Sequence, residues 1–499
     1  MGIKAFLSKP IAKYIAKKTA KWSLNPHITQ EKIFSNLIQI GTKTRFGRDH
    51  QFDSIKSYSD FTKKVPIRDY EQISSYIHLM MKGEEDVLWS GKPLYFSKTS
   101  GTTSGVKYIP ISKESISNHI NAARNALLLY IHETGNSKFV DGKLIFLSGS
   151  PTLETKSGIP TGRLSGIVNH HVPNYLRRNQ MPSYETNCIE DWEQKVDQIV
   201  EETFDKNMTL ISGIPPWVQM YFDRLTAKTG KKIKDIFPKL GLFVYGGVNF
   251  EPYRAKLEQS IGAKVDTLEL YPASEGFIAY QDKQPSQGLL LNLNDGIFFE
   301  FVKAEDFYAT DPKRIQLRDV ELNVNYAIIL TTNAGLWAYN IGDTVKFVSL
   351  LPYRIVVSGR IKHFISAFGE HVIAEEVEYA MKNATAKFNI KIVEFTVAPQ
   401  VNPANSELPF HEWLIEFENP PNDLIPFATY LDKLMQEKNV YYADLIQGNI
   451  LQSLKITFLK SNAFINYMRS QGKLGGQNKV PRLSNDRKLA DELKPWIAI

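Results

Sequence analysis

The stretch MTLISGIPPWV, residues 208–218, decides the fold class because a short apolar run is followed at once by a helix start. Met208 to Ile211 is apolar enough for a buried strand, and the prolines from Pro215 suit the first turn of a helix that runs to Ala227. The flanking sequence repeats this alternation, and we predict further strands and helices at 143–147, 191–204, 242–245, 252–261 and 265–270. Such βα units predict a mostly parallel sheet covered by helices.

The sequence changes character after Gln287, where the apolar runs become shorter and turn sequences appear at 294–296 and 333–335. These features predict antiparallel hairpins. After Gly359 and Arg360, the predicted helices and strands form a self-contained α+β unit. We therefore predict an α/β chain with two domains. The large, multi-layer N-terminal domain, residues 1–359, combines mostly parallel sheets with an antiparallel subdomain, and residues 360–499 form a small α+β domain.

The positive charge of the chain is concentrated near its first residues. The 499 residues contain 60 Lys and Arg against 53 Asp and Glu, a formal net charge of +7. Six lysines precede the first acid, Glu31: Lys4, Lys9, Lys13, Lys17, Lys18 and Lys21. The rest of the chain is nearly neutral, which argues against a nucleic-acid-binding face and predicts no nucleic-acid partner.

The segment from Ile3 to Trp22 predicts an amphipathic helix, with apolar side chains close to one stripe and lysines on the other side. Such a helix could lie on a membrane surface. We favour the alternative, in which the helix packs on the main body and its lysines stay in solvent.

The single cysteine, Cys188, excludes an intrachain disulfide and a thiolate metal cluster, and it favours a reducing compartment. No apolar run approaches the roughly 18 to 20 residues of a membrane span. We therefore predict a cytoplasmic protein without integral membrane association.

The stretch FSKTSGTTSGVK, residues 96–107, concentrates hydroxyls and glycines in a few positions. Such a backbone can bend sharply and present N–H groups and side-chain hydroxyls to phosphate. It differs from a Walker A loop, because only three residues separate Gly101 from Gly105 and Lys107 is not followed by the expected Ser or Thr. Most Ser/Thr/Gly clusters are solvated loops, so this cluster needs support from other motifs.

Two further motifs supply that support. The sequence YPASEG, residues 271–276, follows a predicted strand, and ligands in open α/β sheets collect at the carboxyl ends of strands. There Tyr271 offers a ring face to a base and Glu275 an oxygen ligand to Mg²⁺, although an exposed turn acid is the alternative for Glu275. In YNIGD, residues 339–343, we predict a turn before a strand from Thr344, from which Asp343 could accept hydrogen bonds from ribose hydroxyls.

The order of these motifs, followed by Gly359-Arg360 and a small α+β domain, resembles the adenylate-forming superfamily of acyl ligases and luciferases over almost the whole chain. Within it, the sequence looks closer to the auxin-responsive promoter family of acyl acid-amido synthetases. The further stretches that carry this resemblance are IPPW at 214–217, GGVNFEPYR at 246–254 and QNKVPR at 477–482.

The resemblance implies an ATP- and Mg²⁺-dependent ligase that converts a carboxylic acid to an acyl-adenylate, releases pyrophosphate and transfers the acyl group to an amino acid. It assigns phosphate binding to Thr99, Ser100, Gly101, Thr102, Thr103 and Gly105. It assigns the adenine side of the site to Gly246, Gly247, Val248 and Tyr271.

The resemblance also assigns the catalytic groups. Ser274 would touch the α-phosphate, Glu275 would bind Mg²⁺ and Asp343 would hold the ribose. Arg360 would reach the ribose or phosphate side near the domain joint, with Lys362 at the hinge of a mobile C-terminal domain. Lys479 would stabilise charge during adenylation, and Lys473 is a rival for that role.

Two alternative functions remain open from the sequence. An acyl-CoA ligase would share the adenylation step, and a nucleotide-binding scaffold would lack turnover. The phosphate loop carries Thr-Thr-Ser-Gly where many acyl-CoA ligases have Thr-Thr-Gly followed by Pro-Lys, which favours amide formation. The sequence does not predict which acid, which amino acid or which oligomeric state.

Overall fold

The structure is a computed structural model, and it describes residues 2–102, 105–172, 177–247, 250–307, 309–361, 364–365, 367–370, 372–404, 407–418, 420, 423–471 and 480–498. Its strands are β1 (Tyr95–Thr102), β2 (Gly105–Ile111), β3 (Lys143–Phe146), β4 (Glu154–Lys156), β5 (Ile159–Gly162), β6 (Gln180–Met181), β7 (Met208–Ser212), β8 (Leu242–Gly246), β9 (Asp266–Ala273), β10 (Gly276–Gln281), β11 (Leu289–Leu291), β12 (Ile297–Lys303), β13 (Ile315–Gln316), β14 (Asn325–Thr332), β15 (Tyr339–Leu350), β16 (Tyr353–Arg360), β17 (Phe364–Ile365), β18 (Val372–Ile373), β19 (Ile392–Gln400), β20 (Phe410–Phe417) and β21 (Lys455–Leu459).

The α-helices, numbered in chain order, are α1 (Ile3–Ser23), α2 (Pro26–Gly41), α3 (Arg45–Asp49), α4 (Tyr58–Lys64), α5 (Tyr70–Met81), α6 (Lys113–Thr134), α7 (Leu164–His170), α8 (Tyr184–Asn187), α9 (Trp192–Thr203), α10 (Pro215–Thr229), α11 (Ile233–Ile236), α12 (Glu251–Ile261), α13 (Ala374–Phe388), α14 (Ile425–Lys438), α15 (Val440–Gln447), α16 (Ala463–Ser470) and α17 (Lys488–Glu492). Among the residues with described positions, no helix is both long enough and apolar enough to cross a bilayer.

A twelve-stranded sheet forms the centre of the molecule, in the order β13-β12-β14-β15-β16-β11-β10-β9-β8-β7-β3-β6. Strands β6, β3, β7, β8 and β9 pair in parallel, and every pairing from β9–β10 towards β13 is antiparallel. The predicted α/β fold class is thus confirmed. The antiparallel strands prolong the parallel sheet, and the change of direction occurs at the β9–β10 hairpin.

The parallel half of this sheet is covered on both faces. Leu210 of β7 belongs to the core under α1 and α6, whereas its neighbour Ile211 belongs to the core under α9, α10 and α12. Successive strand side chains point to opposite faces, so a strand that is apolar at every position must be buried on both. This is why the run at 208–211 is apolar except at Thr209, which is also buried and whose hydroxyl donates to the backbone oxygen of Phe139 over 2.6 Å.

The helix after β7 begins and ends where the sequence indicates. Pro215 opens α10, where its fixed φ suits the first turn, and Gly230 ends it in the left-handed conformation with φ 68°. The loop between β7 and α10 is therefore short. It keeps Ser212 and Ile214 at the carboxyl edge of the parallel strands.

Three smaller sheets complete the fold, and the smallest of them is the antiparallel pair of β17 with β18. Strands β2-β1-β5-β4 form the first of them, in which β1 pairs antiparallel with β2 and parallel with β5. Strands β19-β20-β21 form the second, with α13, α14 and α15 beside it. Trp413 of β20 and Val218 of α10 belong to one continuous apolar core, so the C-terminal unit packs on the helices of the large sheet.

Candidate functional site

The candidate site lies at the carboxyl ends of β8 and β9. Strand β8 ends at Gly246, where a Cβ atom would lie only 2.3 Å from the backbone oxygen of Leu270 in β9. Gly247 follows with φ 84°, a conformation that glycine adopts without strain. The two glycines therefore allow the chain to leave β8 close to β9, as expected where backbone approaches a ligand. Val248 lies outside the described residues.

Ser274 and Glu275 form the turn of the β9–β10 hairpin, one step beyond the carboxyl end of β9. The Ser274 hydroxyl lies 2.8 Å from the hydroxyl of Ser97, which is fully buried in β1. Since β1 leads into the phosphate loop, this contact joins two of the three predicted motifs. The sequence analysis did not single out Ser97, although it stands only two residues before Thr99.

Asp343 is presented by a bulge inside β15, and the predicted turn before a strand at Thr344 is wrong. Ala327 of β14 pairs with Thr344 and Ile329 pairs with Asn340, so Ile341, Gly342 and Asp343 stand opposite one residue of β14. Gly342 has φ 87°, and its N–H donates to the Asn340 side chain over 2.8 Å. A left-handed glycine lets a strand bulge without ending, and the bulge removes Asp343 from the pairing with β14 while its backbone still pairs with Arg360 of β16.

Tyr271 and Asp343 are brought together across 72 residues of sequence. The Tyr271 hydroxyl donates to Oδ2 of Asp343, and the Tyr271 ring packs in the apolar core of the antiparallel half. This contact fixes the carboxylate relative to the end of β9. Stacking of the Tyr271 ring on adenine stays a prediction, whereas the hydrogen bond was not anticipated from the sequence.

The phosphate loop and the domain joint are described in part. Strand β1 carries Thr99 and ends at Thr102, whose backbone pairs with Gly105 at the start of β2. Ser100 and Gly101 lie within β1, and the backbone of Arg360, the last residue of β16, pairs with Asp343. The remaining predicted residues lie outside the described part of the chain: Thr103, Lys362, Lys473 and Lys479.

The C-terminal unit contacts the large sheet assembly beside the phosphate loop. The Tyr441 hydroxyl of α15 lies 3.4 Å from the backbone oxygen of Lys98 in β1. The guanidinium of Arg163, which follows β5, lies 4.9 Å from the centre of the Tyr441 ring and forms an ion pair with Asp444. Burial raises the pKa of the Tyr441 hydroxyl, and the Arg163 charge opposes that shift.

A buried lysine, Lys195, holds the backbone next to Arg163. Lys195 of α9 is 1% exposed, and its ammonium donates to the backbone oxygens of Ser148 (2.9 Å) and Asn187 (2.7 Å). Burial lowers the pKa of Lys195 to about 8. The next residue after Ser148 is Gly149, where a Cβ atom would lie 3.1 Å from Cδ of Arg163. Lys195 thus anchors the backbone on which Arg163 lies.

Lys195 was missed by the sequence analysis, but a pattern points to it. The helix at 191–204 is amphipathic, and a lysine at 195 falls beside Val196 and Ile199, which are both buried. A lysine on the apolar stripe of a helix needs backbone or side-chain acceptors, because a buried ammonium without partners is costly.

The acidic groups of the described residues do not form a closed metal cage. Within that part of the chain, no group of three or more His, Cys, Asp or Glu side chains lies close enough to hold a metal ion. Glu275, in the turn of the β9–β10 hairpin, offers one carboxylate. This donor set suits Mg²⁺, which keeps several waters and binds through one or two carboxylates plus substrate phosphates.

Three models of one family match the chain in order. The GH3 family N-terminal domain matches residues 15–186, the central domain matches 290–360 and the C-terminal domain matches 375–488. Together these matches span more than two thirds of the chain.

Curated relatives and solved structures point the same way. The chain is 22% identical to jasmonoyl-L-amino acid synthetase JAR4 of Nicotiana attenuata, over 64% of this chain and 66% of that one. It is 20% identical to indole-3-acetic acid-amido synthetase GH3.3 of Arabidopsis thaliana, over 92% and 89%. The fold resembles the GH3.15 acyl acid amido synthetase in complex with 2,4-DB, with TM-score 0.61, 18% identity and coverage of 98% and 96%.

A second solved structure has a comparable likeness. It is 2-hydroxyisobutyryl-CoA ligase with 2-HIB-AMP and CoA, with TM-score 0.59, 14% identity and coverage of 93% of this chain and 92% of that one. At such low identities these likenesses establish the adenylate-forming fold and nothing finer.

Proposed function

Because the chain belongs to the GH3 family, we propose that it is an ATP-dependent acyl acid-amido synthetase. It activates a carboxylic acid as an acyl-adenylate and transfers the acyl group to the amine of an amino acid. One observation carries the proposal: the Ser97–Ser274 and Tyr271–Asp343 contacts gather the strand of the phosphate loop, Glu275 and Asp343 at one end of β9. The relatives named for jasmonoyl and indole-3-acetic acid conjugation support it.

In the first step, a carboxylate oxygen of the acid attacks the α-phosphorus of ATP. The bond from that phosphorus to the bridging oxygen breaks, and pyrophosphate leaves with its electron pair. No side-chain nucleophile is needed, so the protein acts by positioning the reactants and by neutralising charge. In our assignment Asp343 holds the ribose hydroxyls, Ser274 lies at the α-phosphate and the loop from Thr99 to Gly105 holds the other phosphates.

Mg²⁺ fits this site as a partner of Glu275 and of the ATP phosphates. When bound, it would offset the negative charge that develops on the pyrophosphate. The role of the protein is to hold the carboxylate at the tip of the β9–β10 hairpin. Ser274, the neighbour of Glu275, is fixed there by its contact with Ser97.

In the second step, the amine nitrogen attacks the acyl carbon, AMP leaves and the nitrogen loses a proton. We propose that residues 1–359 hold the nucleotide while residues 360–499, hinged near Arg360 and Lys362, serve the two steps in turn. The ion pair between Arg163 and Asp444 offers little resistance to such a movement, because its side chains are 34% and 42% exposed, whereas the apolar core that Trp413 shares with Val218 would have to open.

We propose a cytoplasmic location, because a single cysteine is typical of a chain in a reducing compartment. An acyl-CoA ligase remains the second candidate, because the fold likeness to a CoA ligase is nearly as close as that to an amido synthetase. The two candidates share the first step and differ only in the acceptor.

The test is pyrophosphate release from MgATP with a panel of aryl and aliphatic carboxylic acids, repeated with mixed amino acids and with coenzyme A. We expect acid-dependent release that turns over faster with amino acids. Faster turnover with coenzyme A alone would favour the second candidate, and ATP binding without release would favour a scaffold. Glu275→Gln should suppress release, whereas Glu201→Gln, an exposed acid paired with Lys228, serves as the matched control.

The two candidate lysines can be separated by half-reaction. Lys479→Ala should lower acid-dependent pyrophosphate release by about a hundredfold, as expected when one charge-stabilising group is removed. The same variant should still catalyse the attack of an amino acid on a supplied acyl-adenylate. Lys473→Ala is the matched variant, and a loss of adenylation there but not in Lys479→Ala would reverse the assignment.

A further inference from the structure

Helix α1 packs on the protein through its small residues. Ala5, Ser8 and Ala12 are buried, and Ala12 meets Ala122 and Ala126 of α6 in one apolar core. Small side chains on both helices allow their backbones to approach closely.

The start of α1 is fixed in the same way. Its first N–H groups are capped by Asp141, which accepts from Gly2 over 2.6 Å and from Ala5 over 3.1 Å. The helix is thus held in place along its length, and the opposite face of the helix is turned away from the protein.

That opposite face carries large apolar side chains in solvent. Five of them are between 52% and 80% exposed: Ile3, Phe6, Leu7, Ile11 and Tyr14. The sequence analysis favoured an apolar stripe packed on the main body, and for these five residues that expectation is wrong. The small side chains gave the closer helix contact, which left the bulky ones outside. We call these five residues the apolar stripe of α1.

Lysines border the apolar stripe on both sides. At 100° per residue, Lys4 lies at one edge of the stripe and Lys9 and Lys13 lie at the other, whereas Lys17 and Lys18 continue the face of the stripe about one turn beyond Tyr14. All five are exposed, and α1 contains no acidic residue. This arrangement is typical of helices that lie in a membrane interface, where the apolar face enters the lipid and the ammonium groups stay among the headgroups.

A cleft beside the stripe could hold a headgroup. It has a volume of about 570 Å³ and is lined by Pro10, Lys13, Tyr14, Ala16, Lys17 and His132. Two ammonium groups at the rim of an open cleft suit a phosphate or carboxylate. The cleft lies between α1 and α6, and it shares Tyr14 with the stripe.

We propose that the apolar stripe of α1 and its flanking lysines dock this protein on an anionic membrane surface. The charge decides between the possible occupants. A second copy of the chain would bring the same lysines against these, which is unfavourable, whereas a bilayer with anionic lipids complements them. This attachment is independent of the proposed ligase activity.

The experiment is sedimentation of the full chain with vesicles, in the absence of ATP and acid. Neutral phosphatidylcholine vesicles are compared with vesicles containing about 30% phosphatidylserine, at low and high salt. We expect binding to the anionic vesicles, loss of binding at high salt and little binding to the neutral ones. Equal binding to both, or none to either, would overturn the proposal.

Two double variants test the stripe and the charges separately. Phe6→Gln with Ile11→Gln should weaken vesicle binding about tenfold or more, because it removes the apolar anchor. Lys13→Gln with Lys17→Gln should weaken it roughly fivefold per lysine. Ile425→Gln, which alters a 74% exposed side chain in α14, is the matched control and should bind as the unaltered chain does.

Light scattering then separates the membrane from self-association. If the unaltered chain forms a dimer that Phe6→Gln with Ile11→Gln converts to a monomer, and no variant binds vesicles, the stripe is an interface between copies and the proposal is wrong. All substituted side chains are exposed, so the thermal midpoints should agree. A vesicle result therefore does not depend on folding or on catalysis.

Discussion

The two sides of the proposed nucleotide site are held by different kinds of contact. On the sheet side, the Tyr271 and Ser274 hydroxyls meet Asp343 and the fully buried Ser97 at the end of β9. On the C-terminal side, α15 is held by the ion pair of Arg163 with Asp444, whose side chains are 34% and 42% exposed.

This difference in the kind of contact indicates that the end of β9 should stay fixed, whereas the contact of α15 can break more easily. Hydrogen bonds between partly buried groups are costly to break, because their atoms cannot all regain water. A partly exposed ion pair contributes little net stability, since water replaces each partner. The sheet side is thus suited to hold ATP through both steps. At the joint the ion pair can exchange with water, but opening would also expose part of the apolar core that Trp413 shares with Val218.

The strongest test of the fixed side is Asp343→Ala. If the carboxylate holds the ribose by charge-assisted hydrogen bonds, transition-state binding should weaken by about 2 to 4 kcal/mol. This corresponds to a loss of roughly 30-fold to 1,000-fold in kcat/KM for ATP. Asp205→Ala, an exposed acid beside Lys206, is the control. Unchanged ATP kinetics in Asp343→Ala would remove this residue from the site.

Tyr271→Phe sharpens the same test, because it removes only the hydroxyl that contacts Asp343. We expect a smaller loss of about 1 kcal/mol in kcat/KM for ATP. A loss as large as that of Asp343→Ala would mean that the hydroxyl also contacts the nucleotide.

The buried ammonium of Lys195, beside the joint between the two domains, predicts that the free energy of unfolding depends on pH. Because burial lowers the pKa of Lys195 to about 8, the unfolded chain holds a proton on this lysine that the folded chain releases. The free energy of unfolding should therefore rise from about pH 8 towards the ordinary lysine pKa. Compared with Lys195→Met, the gain should be on the order of 1 to 2 kcal/mol between pH 8 and 9.5, measured by denaturant titration.

A matched lysine keeps this measurement interpretable. Lys433 is 68% exposed, so the free energy of unfolding of Lys433→Met should depend on pH in the same way as that of the unaltered chain. If Lys195→Met has the same pH profile as the unaltered chain, Lys195 titrates normally and the joint is supported in another way.

The smallest effect on stability belongs to Asp444→Asn. The free energy of unfolding should change by less than about 1 kcal/mol, as for other partly exposed ion pairs. The ratio of the rate of pyrophosphate release to the rate of amide formation should nevertheless change about twofold to fivefold, because the joint opens more easily. Both steps are measured in one preparation.

The control for this variant is Glu201→Gln, since the Lys228–Glu201 pair is similarly exposed at 33% and 55% but lies away from the joint. An unchanged balance in Asp444→Asn would mean that α15 is not held through Asp444.

Local patterns predicted the elements of the fold well. The helix expected at 191–204 is observed as Trp192–Thr203, and the strand expected at 208–211 as Met208–Ser212. Strands buried on both faces and helices with proline starts carry their structure in short stretches of sequence. The family, predicted from the order of motifs, is confirmed by the three domain models.

Features that depend on distant contacts were not predictable in the same way. The bulge at Asp343 follows from pairing with β14, and the Arg163–Asp444 ion pair joins residues 281 positions apart. Periodicity placed the apolar and basic residues of α1 correctly on a helix, but it could not tell which face α6 would contact. The face with small residues contacts α6, because small side chains allow two helices to pack more closely than large ones do.

The β9–β10 hairpin leaves no room for a change in chain length. Tyr271 must meet Asp343 on one side and Ser274 must meet Ser97 on the other, with only Pro272 and Ala273 between them. Inserting or deleting one residue there would turn one of the two side chains to the opposite face of the sheet. After such an insertion or deletion, one of the two contacts could form but not both. The site therefore depends on the number of residues between Tyr271 and Ser274 as much as on their identity.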